Sequence, residues 1–318
     1  MQSVVLYGRL VARAVWNGFS NELTHQKQNS KFCSTQPQPL RNLQLVSATA
    51  GFAKSITPSQ VQRRWIYGDD ACFIASHKSS DVLGVADGVG GWRNYGIDPS
   101  VFPQSFMLTC ERIVKEGRFI PNNPQEIMAS GYAEVLQNKM PMIGSCTACI
   151  VALHKEEETL YTSNLGDSGF LVCRDGEFVH RSEEQQHYFN TPYQLAAAPP
   201  SQQGLVLSDS PESAESSSFN VQQGDIILVG TDGLFDNMTD EMILEHLRKL
   251  KDRRRESIQH TANRLAECAR DLSFDPDYMS PFSMNAEAHG IEGIKGGKPD
   301  DITVVLATVD YRYNDGIT

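Results

Sequence analysis

Short apolar runs alternate with polar stretches along most of this chain, and several of the runs end beside an acidic residue. The clearest runs cover residues 82–86, 226–230 and 302–307. They are short and rich in Val, Ile and Leu, which predicts buried β-strands. Asp87 and Asp232 follow the first two runs, and Asp300 precedes the third. Because a residue at a strand end lies at the rim of a sheet, we expect these carboxylates to meet in one cleft.

Between the strand blocks, apolar residues recur with helical spacing. These segments lie near residues 103–117, 124–135, 239–250 and 258–272. Each has a single apolar face, and Thr239 is placed to cap the third helix because Asp240 and Glu241 follow it. Blocks of strands separated by pairs of helices predict an α+β fold, in which two antiparallel sheets pack together with helices outside.

Further acidic residues stand beside other apolar runs. They are Asp69, Asp70, Asp167 and Asp236. A single Asp-Gly pair is usually a turn, but acidic turns beside so many strands indicate a shared site. Carboxylate oxygens favour hard cations such as Mg²⁺ or Mn²⁺, and the nearby sequence has no zinc-type His or Cys spacing. More carboxylates are present than one ion needs, so a two-ion centre is predicted.

Three acidic motifs carry a family resemblance. They are Tyr67-Gly68-Asp69-Asp70-Ala71, Asp87-Gly88-Val89-Gly90-Gly91-Trp92 and Thr231-Asp232-Gly233-Leu234-Phe235-Asp236-Asn237. In this order they resemble the metal-dependent type-2C (PPM) family of serine/threonine protein phosphatases, and within it a mitochondrial branch linked to coenzyme Q metabolism. The resemblance implies an α-β-β-α sandwich with two metal ions, and a weak third, at one end of the sheets.

The resemblance also implies a role for each acidic residue. The implied catalytic residues are Asp87, Asp232, Asp300, Asp69 and Asp70. The implied metal ligands are Asp87, Gly88, Asp232, Asp300, Asp167 and Asp236. Asp87 would bridge both ions, and the Gly88 carbonyl would bind the second. Asp167 and Asp236 would belong to the weaker third site.

The chain departs from the family pattern at three positions. Many relatives have a histidine two residues after the bridging acid, as a proposed general acid, and here that position is Val89. The phosphate-binding arginine of the family falls at Trp65, with Arg63 and Arg64 beside it but out of register. A solvated basic pair is the favoured interpretation, and contact between Arg64 and phosphate is the alternative. Gly169 replaces an arginine that often follows the acidic loop motif.

The N-terminal part of the chain differs sharply in charge from the rest. Eight Lys or Arg and one acid give residues 1–66 a net charge of +7, whereas the remainder carries −18. Arg9 and Arg13 lie among apolar positions, which is typical of a mitochondrial presequence; a disordered tail is the alternative. No apolar run there approaches the ~20 residues of a membrane-spanning helix. The acidic remainder argues against nucleic acid as a partner.

We predict three parts: a presequence and linker over 1–57, a phosphatase domain over 58–310 and a C-terminal tail over 311–318. The polar stretch 181–219 resembles a flap beside the active site, and its serine-rich run at 208–218 is interpreted as a solvated loop. Cys146 and Cys149 are three residues apart on a predicted strand, so they point to opposite faces. This spacing favours two core thiols over a redox or zinc pair.

The predicted function is Mg²⁺- or Mn²⁺-dependent hydrolysis of phosphoserine and phosphothreonine by a metal-activated water, in the mitochondrial matrix. The resemblance implies phosphoprotein partners, among them coenzyme Q biosynthesis and other mitochondrial proteins. Two alternatives stay open. Another two-metal phosphoesterase, such as a nuclease, would need a basic groove that this acidic domain lacks. A non-catalytic adaptor would have lost a central ligand, whereas Asp87, Asp232 and Asp300 are all present.

Overall fold

A computed structural model describes residues 41–54, 67–138, 142–199, 204 and 206–313. The strands are β1 (Arg41–Phe52), β2 (Ala71–His77), β3 (Ser80–Ala86), β4 (Gly144–Cys146), β5 (Ala148–His154), β6 (Thr159–Leu165), β7 (Gly169–Arg174), β8 (Glu177–Arg181), β9 (Gln186–Tyr188), β10 (Thr191–Pro192), β11 (Leu195–Ala197), β12 (Glu215–Asn220), β13 (Ile226–Gly230) and β14 (Ile302–Tyr313). The α-helices are α1 (Val101–Lys115), α2 (Pro124–Leu136), α3 (Asp232–Phe235), α4 (Asp240–Arg248), α5 (Arg255–Ser273) and α6 (Pro281–Ala288). Short 3₁₀ helices cover Gly90–Tyr95 and Pro211–Ser213.

Two five-stranded antiparallel sheets form the centre of the fold. One sheet has the strand order β1-β14-β13-β7-β8, and the other has the order β12-β6-β5-β3-β2. Helices α1 and α2 pack on the second sheet, and α5 packs on the first through β1 and β14. The predicted α-β-β-α sandwich is therefore confirmed. No helix among the described residues has both the length and the apolar character needed to cross a membrane.

The hydrophobic core has three layers, as the sandwich requires. A central layer joins the two sheets through side chains such as Leu83, Val151 and Val305. Phe102 and Phe106 of α1 belong to a second layer beneath one sheet, and a third layer lies between the other sheet and α5. Strands that face a core on both sides have continuous apolar runs. Their sequences are therefore easy to recognise.

Local signals set the helix ends. Thr239 caps α4, because its side-chain oxygen accepts a hydrogen bond from the Met242 amide. Pro124 occupies the first turn of α2, where a missing N–H costs nothing. Ser280 caps α6 in the same way, by accepting from the Ser283 amide. The cap at Thr239 was predicted, whereas α6 was not, because its sequence has little amphipathic character.

The first strand overturns the predicted domain boundary. The sequence predicts a presequence and linker over 1–57 and a domain that begins at residue 58, but Arg41–Phe52 pairs along its whole length with β14. That interpretation is wrong for residues 41–54. β1 has a weak apolar pattern and is an edge strand, so only pairing with β14, some 250 residues away, reveals it. At the other end, β14 runs to Tyr313, past the predicted limit of 310.

The serine-rich run also differs from its prediction as a solvated loop. Glu215–Asn220 is strand β12, which pairs with β6 at the edge of the second sheet. The Ser217 hydroxyl lies 2.7 Å from the Thr162 hydroxyl and 2.8 Å from Nε2 of His180. These contacts satisfy polar side chains within the sheet, so the segment needs no apolar core of its own.

Strand register places the acidic motifs at one end of the sandwich. Ala71 pairs with Ala86, so the start of β2 lies beside the end of β3. In the opposite sheet Gly230 pairs with Val304, so the end of β13 lies beside the start of β14. The acidic residues that precede or follow these strands therefore share a single rim.

Candidate metal centre

Three carboxylates converge at this rim. They belong to Asp87, Asp167 and Asp232, and one oxygen of each lies within 4.8 Å of the others. Asp87 follows β3, Asp167 follows β6 and Asp232 begins α3 after β13. Both sheets of the sandwich contribute, so the cluster forms only when the two sheets pack together.

Short polar contacts fix the loops that carry two of these carboxylates. The Asp87 amide donates to the Thr147 hydroxyl at 3.0 Å, and that hydroxyl lies 2.7 Å from the Ser168 hydroxyl. The Thr147 amide in turn donates to the Asp87 carbonyl at 3.0 Å. The loops after β3 and β6 are thus tied together through the start of β5. Gly88, next along the chain, is buried and forms an isolated antiparallel β-bridge with Cys146.

A lysine that sequence analysis missed extends into the acidic cluster. The ammonium of Lys298 donates to Asp232, lies 2.6 Å from Oδ2 of Asp236 and lies 3.6 Å from Oδ2 of Asp300. Its stem lies against Phe282, with the nitrogen 5.0 Å from the ring centre. The structure therefore places Asp236 and Asp300 around Lys298, at the side of the three converging carboxylates.

The electrostatics of the cluster reflect crowded, buried negative charge. Burial, followed by the charge of Asp232, raises the pKa of Asp87 well above its ordinary value. Burial also raises the pKa of Asp236, to about 7. For Asp232 burial acts in the same direction, but the charge and hydrogen bond of Lys298 outweigh it and lower the pKa. The ion pair with Lys298 thus keeps Asp232 charged, while its neighbours hold protons more tightly.

Asp69 and Asp70 lie just before β2 at the same rim. Oδ2 of Asp70 accepts a 2.7 Å hydrogen bond from the Thr231 hydroxyl, which links it to the residue before Asp232. Both carboxylate oxygens of Asp69 accept hydrogen bonds from Arg93, each at 2.6 Å. Asp70 therefore faces the acidic cluster, whereas Asp69 holds an arginine at its edge.

Asp301 is a second residue that sequence analysis did not assign. Its Oδ1 accepts from the Lys54 amide at 2.7 Å, and its Oδ2 accepts from the Asp69 amide at 3.0 Å. The Lys54 ammonium donates to Oδ1 of Asp300 at 2.9 Å. Asp301 thus joins the end of β1, the start of β2 and the start of β14. The adjacent acid pair at 300–301 was the available signal, but only one member was expected to act.

The structure shows the surroundings of two of the three positions at which the chain departs from the family pattern. The Val89 amide donates to the Ser145 carbonyl at 3.0 Å, and Val89 lines a cavity of about 590 Å³ with Trp92, Tyr95 and Leu207. A Cβ at Gly169 would lie 2.4 Å from the Ser182 hydroxyl, so a larger side chain there would displace that hydroxyl, which accepts a hydrogen bond from the Phe170 amide. Arg63, Arg64 and Trp65 lie outside the described residues.

Comparison with known proteins agrees with the geometry. The family described as stage II sporulation protein E (SpoIIE) matches residues 106–310. Proteins named protein phosphatase PTC7 homolog from Xenopus laevis and Homo sapiens are 57% and 56% identical to this chain, over 99% of its length and 100% of theirs. The X-ray structure of the photosystem II phosphatase PBCP has a TM-score of 0.71 and 28% identity, covering 84% of this chain and 99% of that one.

These likenesses establish the class of protein. The chain belongs to the PP2C-type (PPM) phosphatase family, and it is a protein phosphatase. Within that family, the whole-length relatives named above are PTC7 homologues. The predicted family and enzyme class are therefore confirmed. The individual roles of the acidic residues remain predictions.

Proposed function

We propose that this phosphatase hydrolyses phosphoserine and phosphothreonine in proteins with Mg²⁺ or Mn²⁺ bound at the acidic rim. The observation that carries the proposal is the convergence of Asp87, Asp167 and Asp232 within 4.8 Å. Three carboxylates so close in a partly buried cleft repel one another strongly. A divalent cation offsets that repulsion more completely than Lys298 alone, since Lys298 contacts only one of the three.

The residues present fit such an ion. Oδ1 of Asp167 and Oδ1 of Asp232 are buried, and neither has a hydrogen-bond partner among the described residues. Buried carboxylate oxygens without a partner are costly unless a cation binds them. All the converging donors are oxygens, which is the chemistry that Mg²⁺ and Mn²⁺ prefer over zinc or copper. The donor set supports the proposed ions without deciding between them.

In this mechanism Asp87 and Asp232 would hold the ions, the Gly88 carbonyl and Asp300 would be further ligands, and Asp167 would belong to a weaker site. When bound, the ions would act as Lewis acids towards water and towards the phosphoryl oxygens. Asp87, anchored through its backbone to Thr147, fixes the position of the centre relative to β3. Since Asp232 follows β13 of the opposite sheet, formation of the site depends on the packing of the two sheets.

One further side chain, that of Asp70, would act on the attacking water, whereas the residue at position 89 has no part in proton transfer. Asp70 is held by the Thr231 hydroxyl, and burial, followed by the charge of Asp301, raises its pKa well above its ordinary value. A carboxylate with a raised pKa suits the acceptance of a proton from an attacking water near neutral pH. Val89 has no titratable group, so it cannot protonate the leaving alkoxide as a histidine would.

Phosphate release from a phosphoserine peptide tests the proposal. The full chain stripped of metal should be inactive and should regain activity with Mn²⁺ or Mg²⁺. Asp232→Asn should reduce turnover by at least about 100-fold and weaken Mn²⁺ binding in calorimetry, because it replaces a charged ligand by a neutral one. Asp240→Asn is the matched control, since Asp240 is exposed and pairs with Arg181 at 2.7 Å. Near-normal turnover of the Asp232 variant in saturating Mn²⁺ would rule out the proposed centre.

We also propose that the protein acts in the mitochondrial matrix, on phosphoproteins that include those of coenzyme Q biosynthesis. Support comes from the basic, amphipathic start of the chain and from the motif resemblance. The full chain fused to a fluorescent protein should enter mitochondria, and Arg9→Glu with Arg13→Glu should reduce import. Replacing both by Lys keeps the charge and should preserve import. Equal import of both double variants would contradict a charge-directed presequence.

A further inference from the structure

The carboxylates at the acidic rim repel a negatively charged substrate. A phosphoryl dianion must approach a cleft that carries Asp87, Asp167 and Asp232, with Asp236 and Asp300 at its side. Cations at the entrance would offset this repulsion and orient the phosphoryl oxygens. Lys298 is too deeply placed to serve, because its side chain is only 15% exposed and its ammonium is already surrounded by three carboxylates.

Two other cations stand at the entrance. Arg93, on the 3₁₀ helix Gly90–Tyr95, has a side chain that is 52% exposed, and Lys54, just beyond β1, has one that is 34% exposed. Each is held in place by a carboxylate of the acidic rim. Arg93 makes two parallel hydrogen bonds to Asp69, and the Lys54 ammonium donates to Asp300. Both therefore keep a defined position while part of each side chain remains open to solvent.

Gly90 lies beside both of these cations. A Cβ built on Gly90 would lie 3.7 Å from Nη1 of Arg93 and 3.9 Å from Nζ of Lys54. Both nitrogens are therefore within 4 Å of one point, and less than 8 Å separates them. One phosphoryl group can contact two donors at that separation. Because glycine has no side chain, both nitrogens are uncovered on the Gly90 side, whereas a methyl group there would contact both.

We propose that Arg93 and Lys54 form a clamp that binds the phosphoryl oxygens of the substrate across Gly90. The inference rests on the proposed function. An arginine has five N–H donors, and Asp69 engages two of those on Arg93, so the others are available to a phosphate. Charge-assisted hydrogen bonds of this kind are short and strong. The clamp supplies, from residues 54 and 93, the phosphate contact that Trp65 cannot make.

Binding of orthophosphate to the Mn²⁺-loaded full chain, measured by calorimetry, tests the clamp without depending on turnover. Arg93→Ala and Lys54→Met should each weaken phosphate binding by about tenfold or more, as expected for loss of a charge-assisted contact. Arg93→Lys should bind with intermediate affinity, because it keeps the charge but loses the fork of donors. Mn²⁺ affinity should not fall in any of these variants.

Two neighbouring glycines provide a matched pair of variants. Gly90→Ala should weaken phosphate binding about tenfold, because its methyl group would contact both nitrogens at ordinary distances and cover the side that faces Gly90. The backbone of Gly90 is not left-handed, so alanine fits it without strain. Gly91→Ala should bind phosphate as the natural protein does, since a Cβ there approaches only Val89, at 4.0 Å. Arg118→Ala removes an exposed positive charge elsewhere and should also leave phosphate binding unchanged.

The outcomes separate this inference from the function on which it rests. If the natural protein releases phosphate from a phosphopeptide with Mn²⁺ but the Arg93 and Gly90 variants bind orthophosphate normally, the clamp is wrong and the metal centre stands. If the natural protein neither binds orthophosphate nor hydrolyses the peptide, the proposed function fails and the clamp fails with it. Selective loss in the Arg93, Lys54 and Gly90 variants supports the clamp.

Discussion

Lys298 donates to Asp232 from within the acidic cluster, where its ammonium also lies 2.6 Å from Oδ2 of Asp236. The lysine acts as a counter-ion built into the chain. Burial opposes its charge, but Asp232 and Asp236 outweigh burial and raise the pKa of Lys298 well above its ordinary value. The acidic cluster is thereby partly neutralised in the folded chain itself.

Replacing Lys298 by Met should reveal this role. Methionine keeps the packing against Phe282 but leaves the carboxylates unpaired, and breaking a buried ion pair costs about 3–5 kcal/mol. The metal-free variant should therefore melt on the order of 10 °C lower. Mg²⁺ should restore most of the loss, since it neutralises the same carboxylates.

The control for this experiment is Lys249→Met, because Lys249 forms an exposed pair with Glu245 at 2.8 Å. An exposed pair within a helix contributes about 0.3–0.5 kcal/mol, so the melting temperature should change little. If Lys298→Met lowered the melting temperature equally with and without Mg²⁺, the lysine would be purely structural.

The stability of the metal-free protein should fall as pH rises between about 4 and 7. Burial, the largest cause in each case, raises the pKa of Asp301 to about 6 and that of Asp236 to about 7, from an ordinary 3.8. The folded state then binds more protons than the unfolded state, so the stabilisation is complete below pH 4 and is lost as each folded-state pKa is passed. Asp232 shifts the opposite way, but its window lies below 3.8.

Thermal unfolding in EDTA at pH 5, 6, 7 and 8 measures this dependence. Asp236→Asn should flatten the upper part of the curve, because the amide does not titrate. Saturating Mg²⁺ should also flatten or invert the slope, since metal binding requires deprotonated carboxylates. A metal-free protein that became more stable from pH 5 to pH 7 would contradict the assignment of buried, protonated acids.

The thiols of Cys146 and Cys149 should remain reduced and unreactive in the folded protein. Cys146 faces the layer beneath α1, whereas Cys149 faces the layer between the sheets, so the two sulfurs point apart. Burial raises the pKa of both thiols. Iodoacetamide should label them only after unfolding, while Cys268, which is partly exposed, should react earlier. Mass spectrometry that found a Cys146–Cys149 bond would refute this prediction.

The rate of hydrolysis by this enzyme should depend strongly on the pKa of the leaving group. A serine alkoxide needs a proton as the P–O bond breaks, and general acid catalysis is worth about 10²–10⁴ in rate. Because Val89 cannot donate one, single-turnover rates for a series of phosphate esters should fall steeply as the leaving-group pKa rises. Val89→His should flatten the dependence, chiefly by accelerating alkyl esters.

Val89→Leu is the control for that series, because it changes the size of the side chain without adding a proton donor. Its rates should keep the steep dependence of the natural protein. A flat dependence in the natural protein, unchanged by Val89→His, would show that another group supplies the proton.

Much of the fold was predictable from local patterns. The strands that face a core on both sides have apolar runs, and the helices have one apolar face each. The spacing of apolar residues along the chain is therefore enough to predict β3, β13 and α5. It is not enough to predict the edge strands β1 and β12. β1 is about half polar and β12 is mostly polar. Both become strands by pairing with a partner elsewhere in the chain, which is β14 for the first and β6 for the second.

Local sequence is enough to identify the acids at strand ends, because strand boundaries are set by local hydrophobicity and turn residues. Asp87, Asp232 and Asp300 are identified on that basis. The cations that contact these acids depend instead on long-range packing. Lys54, Arg93 and Lys298 carry no local signal, since a charged side chain on a polar segment has the same pattern whether it points to solvent or to a carboxylate distant in sequence. These ion pairs form across the rim only when the two sheets pack together, so only the three-dimensional structure reveals them.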